Sequence, residues 1–96
     1  MKNLIIALPL LEETIEKVMS SSFGRAPYFA LYYTAEQRFE ILKNPYTLEQ
    51  KGAGTKTLSW LLDKDVTVMI AKHVGQNVKQ GLSFSHAKVY IASDDF

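Results

Sequence analysis

The chain has 96 residues, 47% of them hydrophobic and 22% charged, with 11 basic and 10 acidic side chains for a net charge of +1. That size suits one domain around one core, so residues 1–96 are read as a single unit. The scattered, balanced charge excludes the basic surface that nucleic-acid binding normally uses. The absence of cysteine excludes disulfides and thiolate ligands, leaving histidine, carboxylate and backbone groups for a soft or borderline metal.

Leu4 to Leu8 is a continuous apolar run that Pro9 is expected to end, a pattern that predicts a central strand buried on both faces. The run is too short for a signal peptide core or a membrane span, so a cytoplasmic location is expected. Leu10, Leu11, Ile15, Val18 and Met19 recur at helical spacing, with Glu12, Glu13 and Glu16 on the solvated face. Three serines and Phe23-Gly24-Arg25-Ala26-Pro27 break that helix into a loop. Aromatic Tyr28 to Thr34 and alternating Arg38 to Lys43 predict two strands, which the link Ala35-Glu36-Gln37 joins as a hairpin.

Asn44-Pro45 ends the second of these strands. Gly52-Ala53-Gly54 then opens a helix buried through Leu58, Leu61 and Leu62 and ending near Asp63 to Asp65. Gly52 to Thr57 lacks the glycine-lysine pair and spacing of a phosphate-binding loop, and is read as helix-entry punctuation. Val66 to Ala71 predicts a second strand buried on both faces, followed by a helix along Val74, Val78 and Leu82. Ala87 to Ala92 is the last strand, and Ser93 to Phe96 is a polar tail. A hairpin followed by strand-helix-strand units predicts an α/β fold with a mixed sheet and helices on both faces.

Phe23-Gly24-Arg25-Ala26-Pro27-Tyr28-Phe29, Gly52-Ala53-Gly54 after Asn44-Pro45, and Ala71-Lys72-His73-Val74-Gly75-Gln76-Asn77 with the later Lys88-Val89-Tyr90 together resemble one family. It is the dinitrogenase iron-molybdenum cofactor biosynthesis family, the NifX-like domains and their small stand-alone relatives. The resemblance implies a ribonuclease H-like fold, with five mixed strands in the order 3-2-1-4-5 and strand 2 antiparallel. It also implies a role in carrying or inserting metal-sulfur cofactors or their precursors. By the same resemblance, cluster-binding relatives commonly carry a histidine immediately before the Phe-Gly pair, where this chain has Ser22.

In that strand order the carboxyl ends of strands 1 and 4 form a switch-point crevice, the usual ligand site of open α/β sheets. The loops expected to face it are Pro9 to Leu11 and Lys72 to Asn77, with Ser20 to Arg25 folded over the top. The candidate cofactor-binding residues are Ser22, Phe23, Gly24, Arg25, Lys72, His73, Gly75, Gln76 and Asn77. His73 is the candidate metal ligand, because imidazole binds iron, copper, zinc and nickel; a loop histidine bonded to a backbone carbonyl is the bland alternative. His86 is read as a surface residue. Gly75 with Gln76 and Asn77 would present free backbone amides at the positive end of a helix dipole. Arg25 pairs either with an anionic cofactor or with the acidic first helix. Gly24 is expected to supply a backbone angle closed to other residues, and Tyr28, Tyr32, Tyr33 and Trp60 to serve packing.

These features point to a non-catalytic binding or carrier protein for an iron-sulfur or molybdenum-containing cluster that is not tightly held on purification. Its partners would be cluster donor or acceptor proteins, not nucleic acid or membrane. A ligand-free interaction module is the alternative. A ribonuclease H-like nuclease is disfavoured, since it needs several carboxylates to hold two cations about 4 Å apart. Leu4 to Leu8 and Val66 to Ala71 contain neither Asp nor Glu.

Overall fold

The computed structural model describes residues 4–13, 20 and 22–91. Within them the apolar segments pair into a five-stranded mixed sheet of order β3-β2-β1-β4-β5. The strands are β1 (Ile5–Leu10), β2 (Tyr28–Tyr33), β3 (Arg38–Lys43), β4 (Val68–Ala71) and β5 (Lys88–Ile91), and the helices are α1 (Ala53–Asp63) and α2 (Gln76–Ser83). β1 is central, as its apolar run predicts, and it is antiparallel to β2, as the resemblance implies, and parallel to β4. The β2–β3 hairpin is antiparallel and β4–β5 parallel. No helix among the described residues is long and apolar enough to cross a membrane.

Pro9 does not end the first strand: β1 continues through Leu10, with Pro9 opposite Phe29. The ladder explains the tolerance. In an antiparallel pair the N–H and C=O of one residue point to the same side. Ile5 O accepts the Thr67 N–H at 3.2 Å and Pro9 O accepts the Ser20 N–H at 3.0 Å, so odd-numbered residues turn their polar groups away from β2. The donor that proline lacks therefore costs no bond to β2, and the parallel register with β4 ends at Ala7–Met69. Leu10 accordingly belongs to the strand; the helical stripe expected through Ile15, Val18 and Met19 lies outside the described residues, as does the tail from Ser93.

Both described helices pack on one face. Leu58 and Leu61 of α1 and Val78 and Leu82 of α2 are buried with Ala7, Phe29, Leu31, Met69 and Ala71 of the sheet. Ile6, Leu8, Val68 and Ile70 point to the opposite face and are half-buried. The uniform burial expected is replaced by alternation in β4, and in β1 Ile6 and Leu8 are half-buried while Ala7, Pro9 and Leu10 are buried; β4 starts at Val68 rather than Val66. Val66 instead belongs to the end of α1. Its N–H reaches Leu61 O at 3.2 Å and that of Asp65 reaches Leu62 O at 3.0 Å, with Asp65 left-handed at φ 65°. This pair of bonds is a Schellman stop, and it sets the helix end where the charged run Asp63 to Asp65 suggests.

The hairpin edge is polar on the same face. Tyr33 donates to Glu40 Oε1 at 2.7 Å and lies 4.1 Å beneath the Arg38 guanidinium. That bond to a carboxylate, with partial desolvation, holds the phenol above its ordinary pKa.

Candidate functional site

Residues that the sequence places far apart meet at one end of this helical layer. Ser22, Phe23, Gly24 and Arg25 of the loop before β2, Gly52 to Thr55 at the start of α1, and His73, Gly75, Gln76, Asn77 and Val78 around the start of α2 line a cavity of about 570 Å³. Eight of the nine predicted site residues are brought together. Lys72 is not among the lining residues, and neither are Pro9, Leu10 and Leu11. Their expected place is taken by the start of α1, which the sequence reading set aside as punctuation.

Each helix start has the same chemistry. The first intrahelical bonds run from the Lys56 N–H to Gly52 O at 3.0 Å and from the Lys79 N–H to Gly75 O at 3.1 Å. The amides of Ala53, Gly54 and Thr55 and of Gln76, Asn77 and Val78 precede those bonds, and such groups have no partner within their own helix. No side chain caps either helix, and neither has an acidic residue in its first turn. The Thr55 hydroxyl donates backward to Gly52 O at 3.1 Å. Two positive dipole ends therefore face one cavity, and no Asp or Glu lines it. The arrangement favours an anion.

Glycine makes this convergence possible by proximity. The angle expected of Gly24 is not found, since Gly52 at φ 74° is the one glycine with positive φ among the described residues. A Cβ on Gly24 would instead lie 2.6 Å from Gly54 Cα and 2.7 Å from Gly54 N. A Cβ on Gly54 would meet Val78 Cγ2 at 2.6 Å, and one on Gly81 would meet Leu58 Cδ2 at 2.8 Å. Loop, α1 and α2 thus touch where side chains are missing.

Arg25 is exposed on the rim and donates to Thr47 O at 3.4 Å and Gln50 O at 3.3 Å. No ion pair joins it to Glu12 or Glu13, the rest of the expected acidic helix lies outside the described residues, and two backbone carbonyls hold it beside the cavity. Ser22 Oγ accepts the Arg25 N–H at 3.2 Å, so it closes the turn that carries the arginine. His73 is exposed on the rim, and His86 is exposed away from it. Among the described residues no three His, Asp or Glu side chains are grouped as a metal site.

Sequence reasoning missed Asn44, read only as the end of a strand. It is 2% exposed, and its Nδ2 lies 3.1 Å from Gly24 O, 3.0 Å from Ala26 O and 3.3 Å from Thr57 Oγ1, while its Oδ1 accepts the Tyr46 N–H at 3.0 Å. The amides at the start of α2 were legible in the sequence, and the start of α1 carries the same signal. Gly52 and Gly75 each stand where Ser, Thr, Asp or Asn would normally cap, and no Asp or Glu follows in the first turn.

The comparisons with known proteins bear on the same fold. Among solved structures, the apo form of the orange protein from Desulfovibrio gigas is similar with a TM-score of 0.82 at 24% identity, over 88% of this chain and 72% of that one. A candidate NifB protein from Thermotoga is similar with a TM-score of 0.80 at 30% identity, over 94% of this chain and 77% of that one. No curated protein sequence matches the chain. Residues 4–95 match the dinitrogenase iron-molybdenum cofactor family, and the chain belongs to that family.

Proposed function

We propose that this chain is a non-catalytic binding or carrier protein for an anionic metal-sulfur cluster or its precursor, held in the cavity between the starts of α1 and α2. The observation that carries the reading is the meeting of two uncapped helix N-termini on one cavity with Arg25 on its rim and no acidic side chain in its lining. Sulfides of a preassembled cluster are anionic, and backbone amides with a guanidinium suit them without any thiolate. His73 then supplies a single metal bond. With no other grouped ligands among the described residues, the cluster keeps its own sulfides and leaves easily, as a carrier requires.

Family membership supports a role in cofactor biosynthesis; cluster donor and acceptor proteins as partners, and a cytoplasmic location, belong to the same reading. The strand order is compatible with the ribonuclease H-like class that the resemblance implies. Nuclease chemistry has no support from β1 and β4, which carry no carboxylate for divalent cations. One observation favours the alternative of a ligand-free interaction module. Ser22, where cluster-binding relatives carry histidine, serves the Arg25 turn.

The test is a titration under argon with tetrathiomolybdate, a coloured molybdenum-sulfur dianion, read by visible absorbance. Wild type is expected to saturate at one site. Arg25→Ala and His73→Ala should each weaken binding about tenfold, equivalent to roughly 1.4 kcal/mol, and Ser22→His should tighten it. Unsaturable binding by wild type, unchanged in both alanine variants, would make the interaction module the better reading.

A further inference from the structure

We infer that Asn44 and Thr57 are positioning residues, a buried polar clamp that sets the width of the cavity by holding the Gly24 carbonyl against α1; as a statement about ligand binding, this rests on the function proposed above. Thr57 is completely buried in the second turn of α1, where a hydroxyl gains nothing from water. Its Oγ1 donates to Gly24 O at 2.9 Å and accepts from Asn44 Nδ2 at 3.3 Å. Asn44 Nδ2 reaches Gly24 O and Ala26 O, and the Asn44 N–H donates to Pro27 O at 2.9 Å. Three segments distant in sequence are thereby joined: the loop that carries Phe23 and Arg25, the turn after β3, and the helix whose start forms the opposite wall. A buried, fully partnered polar group fixes geometry more narrowly than apolar packing does, because each misplacement leaves a donor or acceptor unpaired.

The loop has no other described bond of this kind to α1. Arg25 reaches the neighbouring turn through two exposed bonds, and Ser22 acts only within the loop. With the clamp released, the Gly24–Gly54 contact has nothing polar to keep it closed, and Arg25 moves with its loop.

Substituting Asn44 removes bonds to several partners at once and risks unfolding, so the decisive variant is Thr57→Val, which keeps the shape and loses the hydroxyl. Thr57→Ser restores the hydroxyl. Val66→Ala is the control, since Val66 is buried beyond the far end of α1 and its truncation lowers stability without touching the clamp. In tetrathiomolybdate titrations Thr57→Val should bind about tenfold more weakly, Thr57→Ser like wild type, and Val66→Ala like wild type despite a reduced melting temperature. Amide exchange provides a readout that needs no ligand. The Arg25 and Ala26 amides, bonded to Ser22 Oγ and Phe23 O, should exchange faster in Thr57→Val, while the Leu31 amide in β2 keeps its protection.

Unchanged affinity in Thr57→Val, or an equal loss in Val66→Ala, overturns the clamp. Absence of binding in wild type refutes the proposed function instead; the exchange measurement then decides the clamp alone, with unchanged Arg25 and Ala26 protection overturning it.

Discussion

Replacing Phe29 by alanine is expected to lower stability by about 3–5 kcal/mol, the range for a large ring removed from a packed core. Phe29 is completely buried at the centre of the helical layer. Its ring meets Phe23 edge-on at 5.5 Å and 75°, and Trp60 at 6.1 Å and 71°. Such contacts add to the area term, and the sheet beneath cannot collapse into the void, because neighbouring Ala7 and Leu31 are held by strand pairing. In a domain of this size each kcal/mol moves the midpoint by roughly 4–8 °C, so thermal unfolding followed by circular dichroism should fall by on the order of 15–30 °C. Phe23 lines the cavity, and the substitution therefore removes the surface on which that wall rests. A decrease below about 5 °C would show that the ring triad is not a keystone of the core.

Gly24→Ala is expected to cost about 1–3 kcal/mol, the usual penalty of overpacking, and to abolish the cavity's geometry along with it. The added methyl would lie within 3.1 Å of three backbone atoms, two in Gly54 and one in Ala53. Backbone cannot rotate aside as a flexible side chain can. The loop must lift from α1, stretching the bonds that Gly24 O accepts from Thr57 and Asn44. Gly75 is the contrasting position: a methyl there meets nothing within 4 Å, and its φ of −75° is open to any residue. Gly75→Ala should cost no more than a weaker helix cap, under about 1 kcal/mol. Chemical denaturation of the two variants separates close approach from glycine flexibility; equal losses would contradict the contact assigned to Gly24.

The sheet was legible because its signals are local and strong. Aromatic Tyr28 to Tyr33, alternating Arg38 to Lys43 and apolar β1 and β4 each carry a pattern that few other structures satisfy. The ends of elements were less so. Pro9 looked like a terminator because its missing donor counts only if the ladder needs it, and ladder phase is a property of the paired strands. Eight of the lining residues could be picked from loops near strand ends, yet the start of α1 escaped. Its Gly52-Ala53-Gly54 resembles ordinary helix punctuation until the start of α2 is seen beside it. Asn44 and Thr57 were invisible for a similar reason. A buried amide and a buried hydroxyl are identified by partners 13 to 33 residues away, and neither residue type carries that information alone.

The most direct test of the account is an amide chemical-shift map of the protein titrated with tetrathiomolybdate under argon. Anion capture by two helix starts predicts saturable shifts at Ala53, Gly54, Thr55, Gln76, Asn77 and Val78, with Arg25 following and the β2–β3 hairpin unmoved. Shifts that leave these six amides in place, or that gather instead around the exposed basic residues Arg38 and Lys43, would contradict it.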